Sequence, residues 1–199
     1  MDYTTKNKDE ILNWMKNNLS AKRYEHCLGT AQCAESLALQ FGLNEKKAYV
    51  AGLLHDCAKC FDNDKLLEII RENLDIDENE LMNYKTLHAP VSAYCANNDF
   101  GICDDEILSA IRWHTLGNKD MTDFDKIIFL ADKIEPNSRD LEYRNKILDI
   151  LKEENGLNKA LLVCYKETIK SLVKRELKIC PITIEIYNKL LDITNSNET

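Results

Sequence analysis

Apolar residues recur at three- and four-residue spacing along nearly the whole chain, which is the period of amphipathic helices. Ile11, Leu12, Met15 and Leu19 mark one side of a first helix over 7–19. Cys27, Ala31, Ala34, Ala38 and Phe41 stripe a second, which Ser20 can cap and Gly42 can stop. Asn44 can cap a third helix, from Glu45 to about Cys60. Its Ala51–Leu54 run is apolar all round, so its end is expected to lie deep inside. Asp62 or Asn63 opens a short helix that ends near Asn73, and the acidic stretch 74–80 reads as a loop or lid-like connection.

Further on, a helix over 88–97 sets out beside Pro90, and Phe100-Gly101 is a turn. Asp104 caps 105–115, which Gly117-Asn118 ends, and Thr122 caps 123–134 ahead of Pro136. Three more helices are predicted over 141–154, 157–177 and 182–193, punctuated by Gly156 and Pro181; the polar residues 194–199 should fray. The pattern holds no strand of usable length, no repeat and no Gly/Ser linker. It predicts one all-α domain over 1–199, a helical bundle of about nine or ten helices, with 20–140 forming one part and 141–193 the C-terminal helices.

Composition narrows the function. A chain of 199 residues suffices for one domain with a sizeable core. The net charge of −8 argues against broad electrostatic binding to nucleic acid or to an anionic membrane. An anionic substrate would therefore need local positive charge, from metals or from a few Lys and Arg. The sequence has no apolar run of about 18 residues, and its first residues lack a signal-peptide stretch, so a cytoplasmic protein is expected. The eight cysteines then read as reduced thiols. Cys57-Ala58-Lys59-Cys60 is a CxxC, but it has neither a second pair nor a βαβ setting, and small buried hydrophobes are the better reading.

All four histidines fall into one pattern: His26, then the doublet His55-Asp56, then His88, then His114, closed by Asp132. Imidazole and carboxylate bind divalent metals, and one carboxylate can bridge two ions. Six such ligands are too many for one ion with an open position; they suit a pair of ions sharing Asp56. A hydroxide shared between two metals cleaves phosphates. The doublet ends the apolar run Val50–Leu54, and Asp132 ends Ile127–Ala131. Burying such groups without partners would cost several kcal/mol, and metals are natural partners.

At this point the chain resembles the HD-domain metal phosphohydrolases in their two-metal form. The local strings are closer still. Arg23-Tyr24-Glu25-His26-Cys27-Leu28-Gly29, Gly52-Leu53-Leu54-His55-Asp56-Cys57-Ala58-Lys59, Ile111-Arg112-Trp113-His114-Thr115-Leu116-Gly117 and Ala131-Asp132-Lys133-Ile134-Glu135-Pro136 resemble the YqeK branch, the bacterial symmetrical bis(5′-nucleosyl)-tetraphosphatases. The resemblance covers 23–140 and implies cleavage of diadenosine tetraphosphate to two ADP at an iron-associated site. It implies His26, His55, Asp56 and Asp132 for one metal and Asp56, His88 and His114 for the other. Nitrogen and oxygen ligands also admit Mn, Co, Ni or Zn. Two positions depart from the family pattern: Ala89 stands where Gly is frequent, and Ser138 intervenes before Arg139.

Around the ligands, Lys59 would share a face with His55 and Asp56 on a continuing helix, and could meet charge on the leaving phosphate. Arg23, three residues before His26, faces the same way. Arg112, two residues before His114, reaches the substrate only if its helix ends there. Thr115 can cap that helix end or touch a phosphate. Lys133 points about 100° away from Asp132. Glu135 can orient a ligand or simply close the last turn. Trp113 can stack a base, but a buried core Trp is the better reading. A small nucleotide is the expected partner, and a homodimer is compatible with the chain. Rival readings are another HD nucleotidase or phosphodiesterase, a guanosine tetraphosphate hydrolase that would leave His88 and His114 idle, and a slow nucleotide-binding sensor.

Overall fold

A computed structural model describes residues 2–137 and 140–196, so Arg139 and its neighbour Ser138 lie outside the described residues. Ten α-helices run through the described residues: α1 (Lys8–Asn18), α2 (Ala21–Gln40), α3 (Glu45–Leu54), α4 (Asn63–Asn73), α5 (His88–Asn98), α6 (Asp105–Trp113), α7 (Asp123–Ile134), α8 (Leu141–Ile150), α9 (Gly156–Lys174) and α10 (Pro181–Asn195). Short 3₁₀ turns cover Cys57–Cys60, Glu78–Met82 and Tyr84–Thr86. The described residues contain no strand, in keeping with the all-α expectation, and no helix among them is long and apolar enough to cross a membrane.

The helix starts follow their caps. Side chains of Ser20, Asn44, Asp62, Asp104 and Thr122 each accept a hydrogen bond from a backbone N–H of the first turn, satisfying a donor the helix itself cannot. Asn7 and Glu10 form a reciprocal capping box at α1.

One expectation is corrected. The third helix does not run on to Cys60; it ends at Leu54, and Cys57–Cys60 is a separate 3₁₀ turn. Asp56, between them, has φ −113° and ψ 18°, off the helical track. The stretch 74–80 is likewise not all loop, since a 3₁₀ turn begins at Glu78.

The packing that matters most joins α2 to α3 and α7. Gly52 on α3 lies so close to α2 that a Cβ there would stand 2.8 Å from the Ala31 Cα. Small residues on both sides allow backbones to approach closely. Ala31, Ala34, Ala51, Leu54, Ile127, Ile128 and Leu130 are fully buried in the resulting core. The C-terminal helices lean on this core through α9. Tyr165, buried and stacked 5.3 Å from Phe129 of α7, donates its hydroxyl to the Leu116 carbonyl at 2.7 Å. It thereby holds the turn after α6. Gly117 (φ 79°) leaves room there, because a Cβ would fall 2.0 Å from the Tyr165 oxygen.

All eight cysteines are free, with Cys27, Cys57, Cys95 and Cys164 buried. The contact with Cys95, together with burial, raises the pKa of the Cys57 thiol, and burial raises that of Cys27, leaving both protonated and unreactive.

Candidate metal centre

The six predicted ligands converge from five places in the fold. His26 comes from the first half of α2, His55 from the end of α3 and Asp56 from the turn after it. His88 opens α5, His114 closes α6, and Asp132 lies in the last turn of α7.

Two of the histidines are set by the same local device. His55 Nδ1 lies 2.7 Å from the Gly52 carbonyl, and His114 Nδ1 lies 2.7 Å from the Ile111 carbonyl. Each is the C-cap residue of its helix, where a carbonyl three residues back lacks a helical partner. Donating Nδ1–H to that carbonyl fixes the tautomer and turns the Nε2 lone pair inward. His26 is oriented from another element: its Nδ1 is 3.0 Å from Glu135 Oε1. Glu135 is fully buried and also accepts from the Asn137 backbone N–H at 2.8 Å. A Cβ on Gly29 would stand 2.4 Å from Glu135 Oε2, so that glycine makes the space the carboxylate occupies.

The Nε2 atoms meet in pairs. His26 Nε2 and His55 Nε2 are 3.2 Å apart, and His88 Nε2 and His114 Nε2 are 3.0 Å apart. Asp56 divides its two oxygens between the pairs. Oδ2 lies 3.5 Å from His55 Nε2 and 3.7 Å from His26 Nε2. Oδ1 lies 3.0 Å from His88 Nε2 and 3.5 Å from His114 Nε2. Asp132 Oδ1 joins the first group, 3.0 Å from His26 Nε2 and 3.5 Å from His55 Nε2. Two trios able to hold a metal thus share one carboxylate: His26, His55 and Asp56, and Asp56, His88 and His114.

The donor set fits divalent ions. Asp56 Oδ1 is buried and, despite its near imidazoles, accepts no hydrogen bond of good geometry. Such an orphaned carboxylate oxygen is costly unless a cation takes it up. The electrostatics agree. Burial works against a positive His55, yet the carboxylates of Asp56 and Asp132 overcome it and raise the imidazole pKa to about 10. Burial also works against the Asp56 charge, but His55 and the other imidazoles hold its pKa well below the usual carboxylate range. His114 is pushed down to about 4 by burial, and burial lowers His88 as well. The second trio therefore presents neutral imidazoles, the form that binds metal.

Cations ring the cluster. Arg23 Nη1 is 2.5 Å from Asp56 Oδ2, on the side that its spacing from His26 predicts. Lys59 is half-buried; burial lowers its pKa, while Asp56 and Asp132 pull the other way. Its nearness to Asp56 does not come from the continuing helix that the spacing implied, because the chain turns at His55 and the 3₁₀ turn carries Lys59 instead. Lys133 corrects a further expectation. Its Cα points away from Asp132, but the long flexible stem brings Nζ back to 2.5 Å from Asp132 Oδ2. Thr115 Oγ1 stands 3.2 Å from His88 Nε2. Arg112 sits in the last turn of α6 with Nη2 2.6 Å from Glu80 Oε2 and its guanidinium 4.0 Å above the Trp113 ring. That places it against the 3₁₀ turn at 78–82.

A protein-family model described as HD domain matches residues 23–137, the segment that contains all six predicted ligands. The chain belongs to the HD domain family. Among curated relatives of this HD domain, a protein of Halalkalibacterium halodurans named symmetrical bis(5′-nucleosyl)-tetraphosphatase is 37% identical over 93% of this chain and 97% of its own length. A Bacillus subtilis protein of the same name is 36% identical over 93% of this chain and 98% of its own. A solved structure from Clostridium acetobutylicum, described as an HD superfamily hydrolase involved in NAD metabolism, superimposes with a TM-score of 0.87 at 35% identity. It covers 94% of this chain and 98% of that one.

Proposed function

We propose that this HD domain hydrolyses diadenosine tetraphosphate and related dinucleoside tetraphosphates symmetrically, giving two ADP. One observation carries the reading: Asp56 offers Oδ1 to one histidine pair and Oδ2 to the other, which suits two ions side by side. The names and near full-length coverage of the curated relatives support the substrate. In this reading His26, His55, Asp56 and Asp132 hold one ion and Asp56, His88 and His114 the other. Iron is the metal the resemblance favours; Mn, Co, Ni and Zn suit the same donors. Ions held there supply a water of lowered pKa and positive charge for phosphoryl oxygens.

The protein's own residues do the rest. Water attacks one of the two central phosphorus atoms and the central P–O–P bond breaks, leaving ADP on each side. Charge builds on the departing phosphate, and Lys59 and Arg23 lie on the cluster to meet it. Burial of Lys59 makes its charge count for more than it would in water. Thr115, beside His88, offers a hydroxyl to a phosphoryl oxygen. Arg112 holds Glu80, and so steadies the 78–82 turn. We read the chain as one functional unit, with the ligand-bearing helices backed by α8–α10, working in the cytosol on a small nucleotide.

The test is direct. Purified protein is incubated with diadenosine tetraphosphate and Fe²⁺, Mn²⁺ or Co²⁺, and the products are separated. Two ADP alone, abolished in Asp56→Ala, is the expected outcome. ATP plus AMP would keep the metal centre and sink the symmetrical assignment. No turnover by metal-loaded protein would redirect the reading to another phosphorylated substrate or to a slow sensor.

A further inference from the structure

Two cavities border the ligand cluster, and they differ in character. One, about 320 Å³, lies over the first trio and is lined by Lys22, Arg23, His26, Asp132, Lys133 and others, all polar or charged. The other, about 170 Å³, reaches away from the cluster toward the C-terminal helices. Its inner end carries Thr115 and Lys133; its walls include Phe129, Tyr165, Thr168 and Leu172. A roomier surface groove of about 500 Å³, between Tyr3, Glu35 and Tyr49, is lined by none of the six ligands.

The smaller cavity is too small for a whole nucleotide, since clefts that hold drug-sized ligands run to about 300–1,000 Å³. It suits one flat ring system. Its walls have the chemistry such a ring needs. Phe129 and Tyr165 stack on each other and are almost wholly buried, and Lys133 Nζ lies 4.9 Å from the Phe129 centroid, so these rings add apolar wall rather than a free stacking face; Leu116 and Leu172 extend that apolar surface. Asn79 and Asn83, from the 78–82 turn and the link after it, bring amide groups to the rim. Asn83 Oδ1 accepts from the Lys85 N–H and the Thr86 hydroxyl donates to backbone carbonyls, so the Asn79 amide and the Asn83 NH₂ are the groups offered to a base. Amide groups read the hydrogen-bonding edges of a base, and apolar walls take its faces. The inner end lies against both parts of the metal centre: Thr115 adjoins His88, and Lys133 adjoins Asp132.

We infer that this cavity between α7, α9 and the 78–86 turns is the subsite for one purine base of the substrate, with its phosphates extending past Thr115 and Lys133 to the metal trios. The inference rests on the proposed function and adds an asymmetry to it. One nucleoside is clasped by apolar walls, and the other lies in the open, polar cleft beside Lys22 and Arg23. It also gives the C-terminal helices a task, since Tyr165, Thr168 and Leu172 on α9 form one wall.

Thr168 is partly exposed on the cavity wall and touches none of the metal ligands reported above, so Thr168→Trp fills the space without disturbing the cluster. Calorimetry on metal-loaded protein would compare ADP with inorganic diphosphate. Loss of the space for the base should weaken ADP binding by about tenfold or more, while diphosphate affinity and metal content stay as in wild type. Leu172→Trp, one turn along the same face, is the second variant should the first fail to fold. The subsite is overturned if wild type binds ADP no more tightly than diphosphate, or if a folded variant leaves ADP affinity unchanged or weakens both ligands equally. Turnover of diadenosine tetraphosphate is scored separately. ADP binding that depends on Thr168 in a protein that makes no ADP would keep the subsite and sink the proposed reaction.

Discussion

At the scale of single residues, the candidate centre is braced by side chains outside the six candidate ligands. Glu135 is fully buried, 3.0 Å from His26 Nδ1, and sits where Gly29 leaves room for it. A carboxylate behind an imidazole fixes the ring and makes its Nε2 a better donor, and losing such a partner costs about 10- to 100-fold in metal affinity or activity. Glu135→Gln should therefore lower metal affinity at the first trio by that factor while leaving the second trio loaded, as read by metal titration and stoichiometry. Gly29→Ala should do the same by forcing Glu135 aside. Equal loss at both trios would mean a general folding defect instead. The six candidate ligands stand out in the sequence because each is a metal-binding residue type inside a distinctive string, and the structure brings them together. Glu135 was half legible, since its spacing from Asp132 fits either a supporting role or a plain helix end, and its partner lies 109 positions away. Lys133 was misread, because a helical-wheel angle describes where a side chain starts and says nothing of where a four-carbon stem ends.

Helices were read most accurately at their starts, because a capping side chain acts on its own first turn and leaves a local trace. The four caps marked in the sequence, Ser20, Asn44, Asp104 and Thr122, are caps in the structure, and of the two starts left open for α4 it is Asp62 that caps. The breaks at His55 and at 78–86 left no such trace, since 3₁₀ turns are too short to show a period. One cap carries a pH signature. Asp104 caps α6 and lies 2.8 Å from Lys47 Nζ. Burial works to raise its pKa, but Lys47 and the backbone N–H groups it accepts from together outweigh that and lower the carboxyl below its ordinary value. A depressed carboxylate stabilises the fold fully above its unfolded pKa of about 3.9, and that contribution is lost as pH falls through the lower folded value. Asp104→Asn keeps a capping side chain and removes the charge. It should flatten this part of the acid unfolding curve and cost little else at neutral pH. Asp104→Ala also loses the cap and should cost about 0.5–2 kcal/mol at pH 7. Urea unfolding of the three proteins at neutral and acid pH separates the two effects. An Asn variant with an unchanged acid slope would remove Lys47 from the account.

For the whole molecule, the balance of charge decides how strongly fold and metal are tied together. The chain carries a net −8, and its core holds Asp56 and Glu135 nearly or fully out of water, with Asp132 close by. Helix packing brings these groups together: Gly52 against Ala31 joins α2 to α3, and Tyr165 of α9 holds the turn after α6. No motif in the C-terminal third announced that second contact, because it is a single hydroxyl on a distant helix. Protein cations already meet part of the buried charge, through Arg23 on Asp56 and Lys133 on Asp132. Chelation should therefore leave the helices folded, with unchanged far-UV circular dichroism, but lower Tm. A ligand at 100 times its Kd stabilises by about 2.7 kcal/mol, which is roughly 5–10 °C for a chain of this size. Arg23 makes the argument sharper. Its guanidinium is 37% exposed, so solvent weakens the pair, but its partner Asp56 is only 2% exposed and cannot turn to water instead. In chelated protein Arg23→Ala should cost about 1–3 kcal/mol, the penalty for a buried carboxylate without a partner. In metal-loaded protein the ions neutralise Asp56 and the same change should cost less than about 1 kcal/mol, while slowing turnover through the phosphate contact proposed for Arg23. Scanning calorimetry of both proteins with and without chelator measures the difference. Equal destabilisation in the two states would mean that Arg23 and the metals do not share Asp56, and the two-ion reading of that carboxylate would lose its main support.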